Sequence, residues 1–167
     1  MFERKQVEGS KDQRYESLLN QAHSLLEDER DWVANLANAA SLLYHSLETV
    51  NWAGFYLMRG EKELILGPFM GQPACIRIPV GQGVCGTAVK ERETQLVPDV
   101  HQFPGHIACD AASRSEIVVP LENGGKVVGV LDIDSPKPGR FDETDRKYLQ
   151  SFARIVQESI DWNNMKK

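Results

Sequence analysis

The stretch EIVVPLENGGKVVGVLD, residues 116–132, indicates how this chain folds. Its two halves, residues 116–121 and 126–132, are short and rich in branched apolar residues, a composition typical of buried β-strands. The Gly-Gly pair between them favours a tight turn, so the two halves form an antiparallel hairpin. We expect these to be the most buried strands of the protein.

Helices are predicted on both sides of this hairpin. Apolar residues recur at helical spacing over residues 15–26, and a second apolar stripe follows Asp31, a typical N-cap residue. A further helix begins after Asp142, and its apolar stripe continues to Ile160.

Shorter elements fill the middle of the chain. They are a hairpin over residues 51–57 and 62–69, a strand over 75–80, a short helix over 84–92, and an edge strand over 95–100. A long loop over residues 100–114 precedes the central hairpin. Terminal helices that enclose a run of strands predict an α+β fold: a single, mostly antiparallel sheet with the terminal helices packed on one face.

Composition limits the class of protein. A chain of 167 residues fits one domain, and its net charge of -5 argues against a nucleic-acid-binding surface. Apolar runs such as residues 117–121 are far shorter than the roughly 20 residues of a membrane helix, and the first 17 residues contain no apolar signal segment. We therefore expect a cytoplasmic protein. In that compartment its three cysteines serve packing, metal binding or chemistry.

The cysteines have different surroundings. Cys85 lies in the first turn after the Gly-Gln-Gly of residues 81–83, where the helix dipole is expected to lower the thiol pKa and make it reactive. Cys109 lies in the long loop among small residues, and His101 and His106 of that loop could help to ionise it. The alternative is that each cysteine is a small buried apolar residue, and Cys75, at the start of an alternating strand, fits this best.

A metal site is a weaker alternative. The three cysteines and His106 could form a structural zinc centre, but the cysteines are ten and twenty-four residues apart, without the close pair typical of such sites. We therefore expect no metal. The sequence GQGVCG also lacks both phosphate-binding glycine patterns, which argues against a nucleotide site.

Acidic residues form the other candidate site. Glu116 begins one inner strand, Asp132 and Asp134 end the next, and the turn between the strands brings these ends together. Asp132 and Asp134 face the same way, and so do Trp52 and Tyr56 on an earlier strand. The alternative is that Asp134 caps a turn, Glu116 is solvated, and the two aromatic residues only pack in the core.

Four motifs carry a resemblance to a known family. NWAGFY (residues 51–56), GPFMGQPACIRIPVGQGVCG (67–86), HIACDAASRSEIVVP (106–120) and GVLDIDSP (129–136) together resemble the free methionine-(R)-sulfoxide reductases, which are GAF-domain enzymes. The resemblance extends from about residue 18 to residue 160. It implies a GAF-like catalytic domain over residues 15–162, between an N-terminal extension (1–14) and a C-terminal tail (163–167).

The resemblance also implies a role for each thiol. Cys109 attacks the sulfoxide and becomes a sulfenic acid, Cys75 forms a disulfide with it, and Cys85 is a further thiol in the pocket. The residues alone do not rank Cys75 and Cys85 as the resolving thiol. No bound cofactor is implied, because thioredoxin supplies the electrons, and members of the family often form homodimers. The alternative is a non-catalytic GAF domain that senses a small molecule.

The same resemblance implies how substrate binds. Glu116 or Asp132 lies near the sulfoxide oxygen, and Asp132 and Asp134 bind the substrate ammonium group. Backbone N–H groups of residues 83–85 receive the carboxylate. Trp52 and Tyr56 enclose the S-methyl group.

Overall fold

The structure is a computed structural model, and it describes residues 1–106 and 111–165. The helices are α1 (Lys11–Leu26), α2 (Trp32–Ser46), α3 (Gly83–Glu91) and α4 (Glu143–Ser159). The strands are β1 (Trp52–Arg59), β2 (Glu63–Gly71), β3 (Arg77–Pro79), β4 (Gln95–Val97), β5 (Ser115–Asn123) and β6 (Lys126–Ser135). Two 3-10 helices, Val100–Gln102 and Trp162–Asn164, are also present.

The six strands form one sheet in the order β3-β2-β1-β6-β5-β4. Each neighbouring pair is antiparallel. The predicted central hairpin is confirmed as β5 and β6, which pair from Ser115 and Ser135 at one end to Asn123 and Lys126 at the turn. Both strands continue beyond the predicted limits, so Asp132 and Asp134 lie within β6 rather than at its end.

The two faces of the sheet carry different helices. Side chains of a strand point alternately to opposite faces, so Leu131 and Ile133 of β6 share one face while Asp132 and Asp134 share the other. The face with Leu131 and Ile133 belongs to the larger apolar core, which also contains buried residues of α1, α2 and α4. Helix α3 packs with the opposite face. The predicted α+β class, with its terminal helices on one face, is confirmed.

Capping residues define where the long helices begin. Asp31 and Asp142 cap α2 and α4, as predicted. Helix α1 begins at Lys11, four residues before the predicted start, because Ser10 forms a capping box with Gln13. The apolar pattern could not show this, since the first turn of the helix is polar.

A buried carboxylate joins the first and last helices. Asp145 is 0% exposed and accepts hydrogen bonds from the Tyr15 hydroxyl at 2.5 Å and from the Lys11 ammonium at 2.8 Å. Arg140 approaches the same carboxylate at 3.3 Å. Burial of Tyr15 and the nearby Asp145 charge raise the pKa of the Tyr15 hydroxyl. The cluster satisfies the Asp145 charge and ties α1 to α4.

The edge strands are shorter than the sequence predicted. Strand β3 covers only Arg77–Pro79, so Cys75 precedes it rather than starting it. Strand β4 ends at Val97, immediately before Pro98. Among the described residues, no helix is long and apolar enough to cross a membrane.

Candidate functional site

The three predicted acids come together on the α3 side of the sheet. Glu116 of β5 lies opposite Asp134 of β6, and Asp134 lies opposite Trp52 of β1 on its other side. Glu116 and Asp132 are 7% and 5% exposed, and Asp134 is half-buried. The alternative in which Glu116 is solvated is therefore wrong.

Two aromatic rings form the wall beside the acids. Trp52 and Tyr56 are each 2% exposed, and their ring centroids are 5.9 Å apart. The Trp52 indole N–H donates a hydrogen bond to the Gln72 carbonyl at 3.1 Å, and the Tyr56 hydroxyl donates to the Cys75 carbonyl at 2.9 Å. These two bonds fix the segment after β2 to the aromatic wall.

The N-terminal turn of α3 closes the site from above the sheet. Gly83 has a φ of 64°, a conformation that favours glycine. A Cβ atom on Gly86 would lie 2.4 Å from the Pro79 carbonyl oxygen, so only glycine permits this close packing. Within the described part of the chain, Gln82, the N-cap residue, makes no side-chain hydrogen bond that caps α3.

Together these elements surround one pocket, which contains about 540 Å³ of space not filled by atoms, its open mouth included. The pocket is lined by Trp52, Tyr56, Gln72, Pro73, Ala74, Ile78, Gly83, Val84, Cys85, His106, Ser113, Glu116, Asp132 and Asp134. All five residues predicted to bind substrate, and Cys85, are among them. The structure therefore brings these residues together from distant parts of the chain, and their roles in substrate binding stay predictions.

The acids of the pocket resist ionisation. Burial raises the pKa of the Glu116 carboxyl well above its usual range, and the nearby Asp132 and Asp134 raise it further. Burial also raises the pKa of Asp132, although its hydrogen bonds with Glu116, Cys85 and Asp134 act in the opposite direction. Of the two Asp132 carboxyl oxygens, Oδ1 is buried and has no hydrogen-bond partner among the residues that the structure describes. Burial therefore favours the protonated form of these carboxyls, and a cation in the pocket would favour their charged form.

Cys85 differs from its prediction. It is 4% exposed, and burial raises the pKa of its thiol well above the usual range, with the charges of Asp132 and Glu116 adding to the effect. The expectation that the helix dipole lowers this pKa is wrong, because desolvation and two neighbouring acids outweigh it. Cys85 is a free cysteine, and the raised pKa favours its thiol form over the thiolate.

Of the other two cysteines, the structure describes only Cys75. Cys75 is half-buried and disulfide-bonded, so its interpretation as a small buried apolar residue is wrong. Cys109 lies outside the described residues. His106, which the sequence placed near Cys109, lines the pocket, and burial lowers the pKa of its imidazole, as does the nearby His101.

Several residues that line the pocket were not predicted from the sequence. Gln72 uses its backbone carbonyl, which any residue could supply, so its side-chain type carries no signal. Ser113 lies in the loop before β5 and accepts a hydrogen bond from the Asn51 amide at 3.3 Å. Loop residues of this kind have no periodicity that would place them beside the strands.

The described residues also contain a group of possible metal ligands. One ligand atom each from Cys85, Glu116 and Asp132 lies within 4.8 Å of the others. This group differs from the zinc centre considered from sequence, which combined all three cysteines with His106. Its three members come from α3, β5 and β6.

A six-stranded antiparallel sheet with a pocket under one short helix is the architecture to compare with known families. The family model described as a GAF domain matches residues 33–161. This confirms the GAF-like fold that the resemblance implied.

Relatives define the family further. The chain is 47% identical to the free methionine-R-sulfoxide reductase of Escherichia coli, with 95% of each chain covered. It is 55% identical to protein YtsP of Bacillus subtilis, over 96% of this chain and 99% of that one. The X-ray structure of free methionine-R-sulfoxide reductase from Neisseria meningitidis in complex with its substrate superposes with a TM-score of 0.92, at 46% identity and 95% coverage of both chains. The chain therefore belongs to the free methionine-R-sulfoxide reductase family.

Proposed function

We propose that the protein reduces free methionine-(R)-sulfoxide to methionine. The observation that carries this proposal is the pocket in which Glu116, Asp132 and Asp134 face the stacked rings of Trp52 and Tyr56. A free amino acid brings a charged ammonium group that suits the acids, and a methyl sulfoxide group that suits the aromatic wall. The names of the Escherichia coli and Neisseria meningitidis relatives support the same substrate.

The proposed reaction transfers the sulfoxide oxygen to a cysteine. The Cys109 thiolate attacks the sulfoxide, Glu116 or Asp132 protonates the oxygen, and the products are methionine and a Cys109 sulfenic acid. Burial raises the pKa of both carboxyls, and this direction favours the protonated form that a proton donor needs. Both acids remain candidates for the donor.

The resolving step follows. The Cys75 thiol condenses with the sulfenic acid, one water is released, and a disulfide forms. The dithiol of thioredoxin then reduces this disulfide and becomes a disulfide itself, which fits a cytoplasmic enzyme without a bound cofactor. Cys75 ranks above Cys85 as the resolving thiol because Cys75 is disulfide-bonded, whereas Cys85 is free and buried.

Selection of the free amino acid follows from the charges. Asp132 and Asp134 bind the ammonium group, and the N–H groups of residues 83–85 bind the carboxylate. A methionine sulfoxide within a peptide has an amide nitrogen in place of the ammonium group. It would leave the buried acids without a cation, and we expect this to exclude it.

The test is a coupled assay with thioredoxin, thioredoxin reductase and NADPH, run on separated R and S epimers that are free or peptide-bound. We expect NADPH oxidation only with the free R epimer. Tight binding of a small molecule with no turnover of any of the four substrates would instead favour a non-catalytic GAF sensor.

Two cysteine variants separate the chemical steps. Cys109→Ser should form no methionine at all, because the nucleophile is missing. Cys75→Ser should form a burst of one methionine per chain and then stop, because the sulfenic acid is not resolved. Steady turnover in Cys109→Ser would contradict the assignment of the nucleophile, and steady turnover in Cys75→Ser would transfer the resolving role to Cys85.

A further inference from the structure

The group of Cys85, Glu116 and Asp132 has a geometry that the proposed reaction does not require. One ligand atom of each lies within 4.8 Å of the other two, and the residues are 4%, 7% and 5% exposed. The reductase mechanism uses one carboxyl as an acid and one as a partner of the ammonium group. It gives no role to the buried Cys85 thiol, whose sulfur lies within 4.8 Å of a carboxylate oxygen of each acid.

A second observation favours the binding of a cation. Oδ1 of Asp132 is buried, lines the pocket, and has no hydrogen-bond partner among the described residues. An unpaired carboxylate oxygen in a buried site is costly, and a positive ion is the strongest way to satisfy it. The pocket gives such an ion a route from solvent.

The donor types select the class of ion. One sulfur and two carboxylate oxygens suit a borderline divalent ion such as Zn²⁺ or Co²⁺, whereas Mg²⁺ and Ca²⁺ prefer oxygen ligands only. Three protein ligands leave the fourth position of a tetrahedral ion open toward the pocket, where a water molecule completes the coordination. The ligands lie on α3, β5 and β6, so little rearrangement is required.

We propose that the pocket binds one divalent transition-metal ion of the Zn²⁺ class through Cys85 Sγ and one carboxylate oxygen each of Glu116 and Asp132. On binding, the Cys85 thiol releases its proton to the buffer and no electron is transferred. The ion occupies the acidic end of the pocket. If the proposed function holds, it therefore excludes the ammonium group of the substrate, and the ion acts as a competitive inhibitor rather than a resident cofactor.

The test uses Co²⁺ as a spectroscopic substitute for Zn²⁺ and requires no turnover. The protein is titrated with the Cys75 disulfide intact, so that Cys75 cannot supply a thiolate. We expect the charge-transfer absorption of a Co²⁺–thiolate bond, saturation at one ion per chain, and loss of the band when Zn²⁺ is added. Absence of the band in the unaltered protein would overturn the proposal, whatever the enzyme assay shows.

Variants locate the ion. Cys85→Ser should lose the charge-transfer band, and Glu116→Gln should weaken Co²⁺ binding at least tenfold, in keeping with the loss of one charged ligand. Glu122→Gln is the matched control, because Glu122 lies on the same strand with its side chain 43% exposed, and it should titrate like the unaltered protein. A band that survives in Cys85→Ser, or equal binding by Glu116→Gln and Glu122→Gln, would refute the assigned ligands.

Discussion

Replacement of Asp134 with asparagine tests how the pocket recognises a free amino acid. Asp134 is half-buried and faces Glu116, and asparagine keeps its shape while it removes the charge. A hydrogen bond to a charged group contributes about 1.5–3 kcal/mol, and partial exposure of Asp134 places the loss near 2 kcal/mol. At 1.4 kcal/mol per tenfold change, we expect a roughly 30-fold fall in kcat/KM for free methionine-(R)-sulfoxide.

The assay compares two substrates on two proteins. N-acetyl-methionine-(R)-sulfoxide has the same sulfoxide but no charged amine, so unaltered protein should lose at least this factor when it is offered this analogue, because the contacts of the amine with both Asp132 and Asp134 are lost. When Asp134→Asn is offered the acetylated substrate, the loss from the substitution and the loss from acetylation should not add, because both remove the contact between Asp134 and the ammonium group. Thermal stability should not fall, since the substitution removes a charge that raises the pKa of Glu116 by repulsion.

Binding of the ammonium group by Asp134 is refuted if Asp134→Asn lowers kcat/KM by the same factor for the free and the acetylated substrate. That result would mean that Asp134 acts on the sulfoxide or on the structure of the pocket rather than on the ammonium group. A rise in KM for the free substrate alone, with kcat preserved, is the pattern of a lost binding contact.

Two further predictions concern stability. The thermal midpoint of Glu116→Gln should be higher than that of the unaltered protein, and the difference should grow with pH. The folded-state pKa of Glu116 is raised, so the stability of the unaltered protein is highest below the unfolded-state pKa and declines as pH rises toward the folded-state pKa. Melting curves of both proteins at several pH values measure this difference, and a difference that stays the same at every pH would contradict the prediction. Asp145→Asn should lower the free energy of unfolding by about 3 kcal/mol, because Lys11 and Arg140 lose a buried partner. In urea denaturation the exposed Glu143→Gln, in the same helical turn, should change little, and equal effects would contradict the role of Asp145.

Much of the site could be predicted from the alternation of side chains along strands. Because the spacing of two residues is a property of any strand, Asp132 with Asp134 and Trp52 with Tyr56 were correctly assigned to shared faces. The glycine turn between β5 and β6 then brought Glu116 beside Asp134. These inferences require only the local sequence and the pairing of β5 with β6.

The environment of Cys85 could not be predicted in the same way. Its position in the first turn of α3 was correct, but the pKa of its thiol depends on which face of the sheet the helix covers. The helix packs over the acidic face, so burial and the charges of Asp132 and Glu116 dominate. Contacts of this kind join parts of the chain that are about thirty residues or more apart, and no local pattern encodes them.

Strand β6 explains how the chain tolerates a cluster of acids that repel one another. Leu131 and Ile133 are each 0% exposed on the face that packs with the helices, and they alternate with Asp132 and Asp134 on the pocket face. A shift of one residue in register would bury both acids in the larger apolar core and expel the two apolar side chains from it. The packing of Leu131 and Ile133 therefore fixes the register of the strand, although the acids on its other face repel one another. Stability comes from one face of the strand, and this leaves the other face able to hold the acidic side chains that line the pocket.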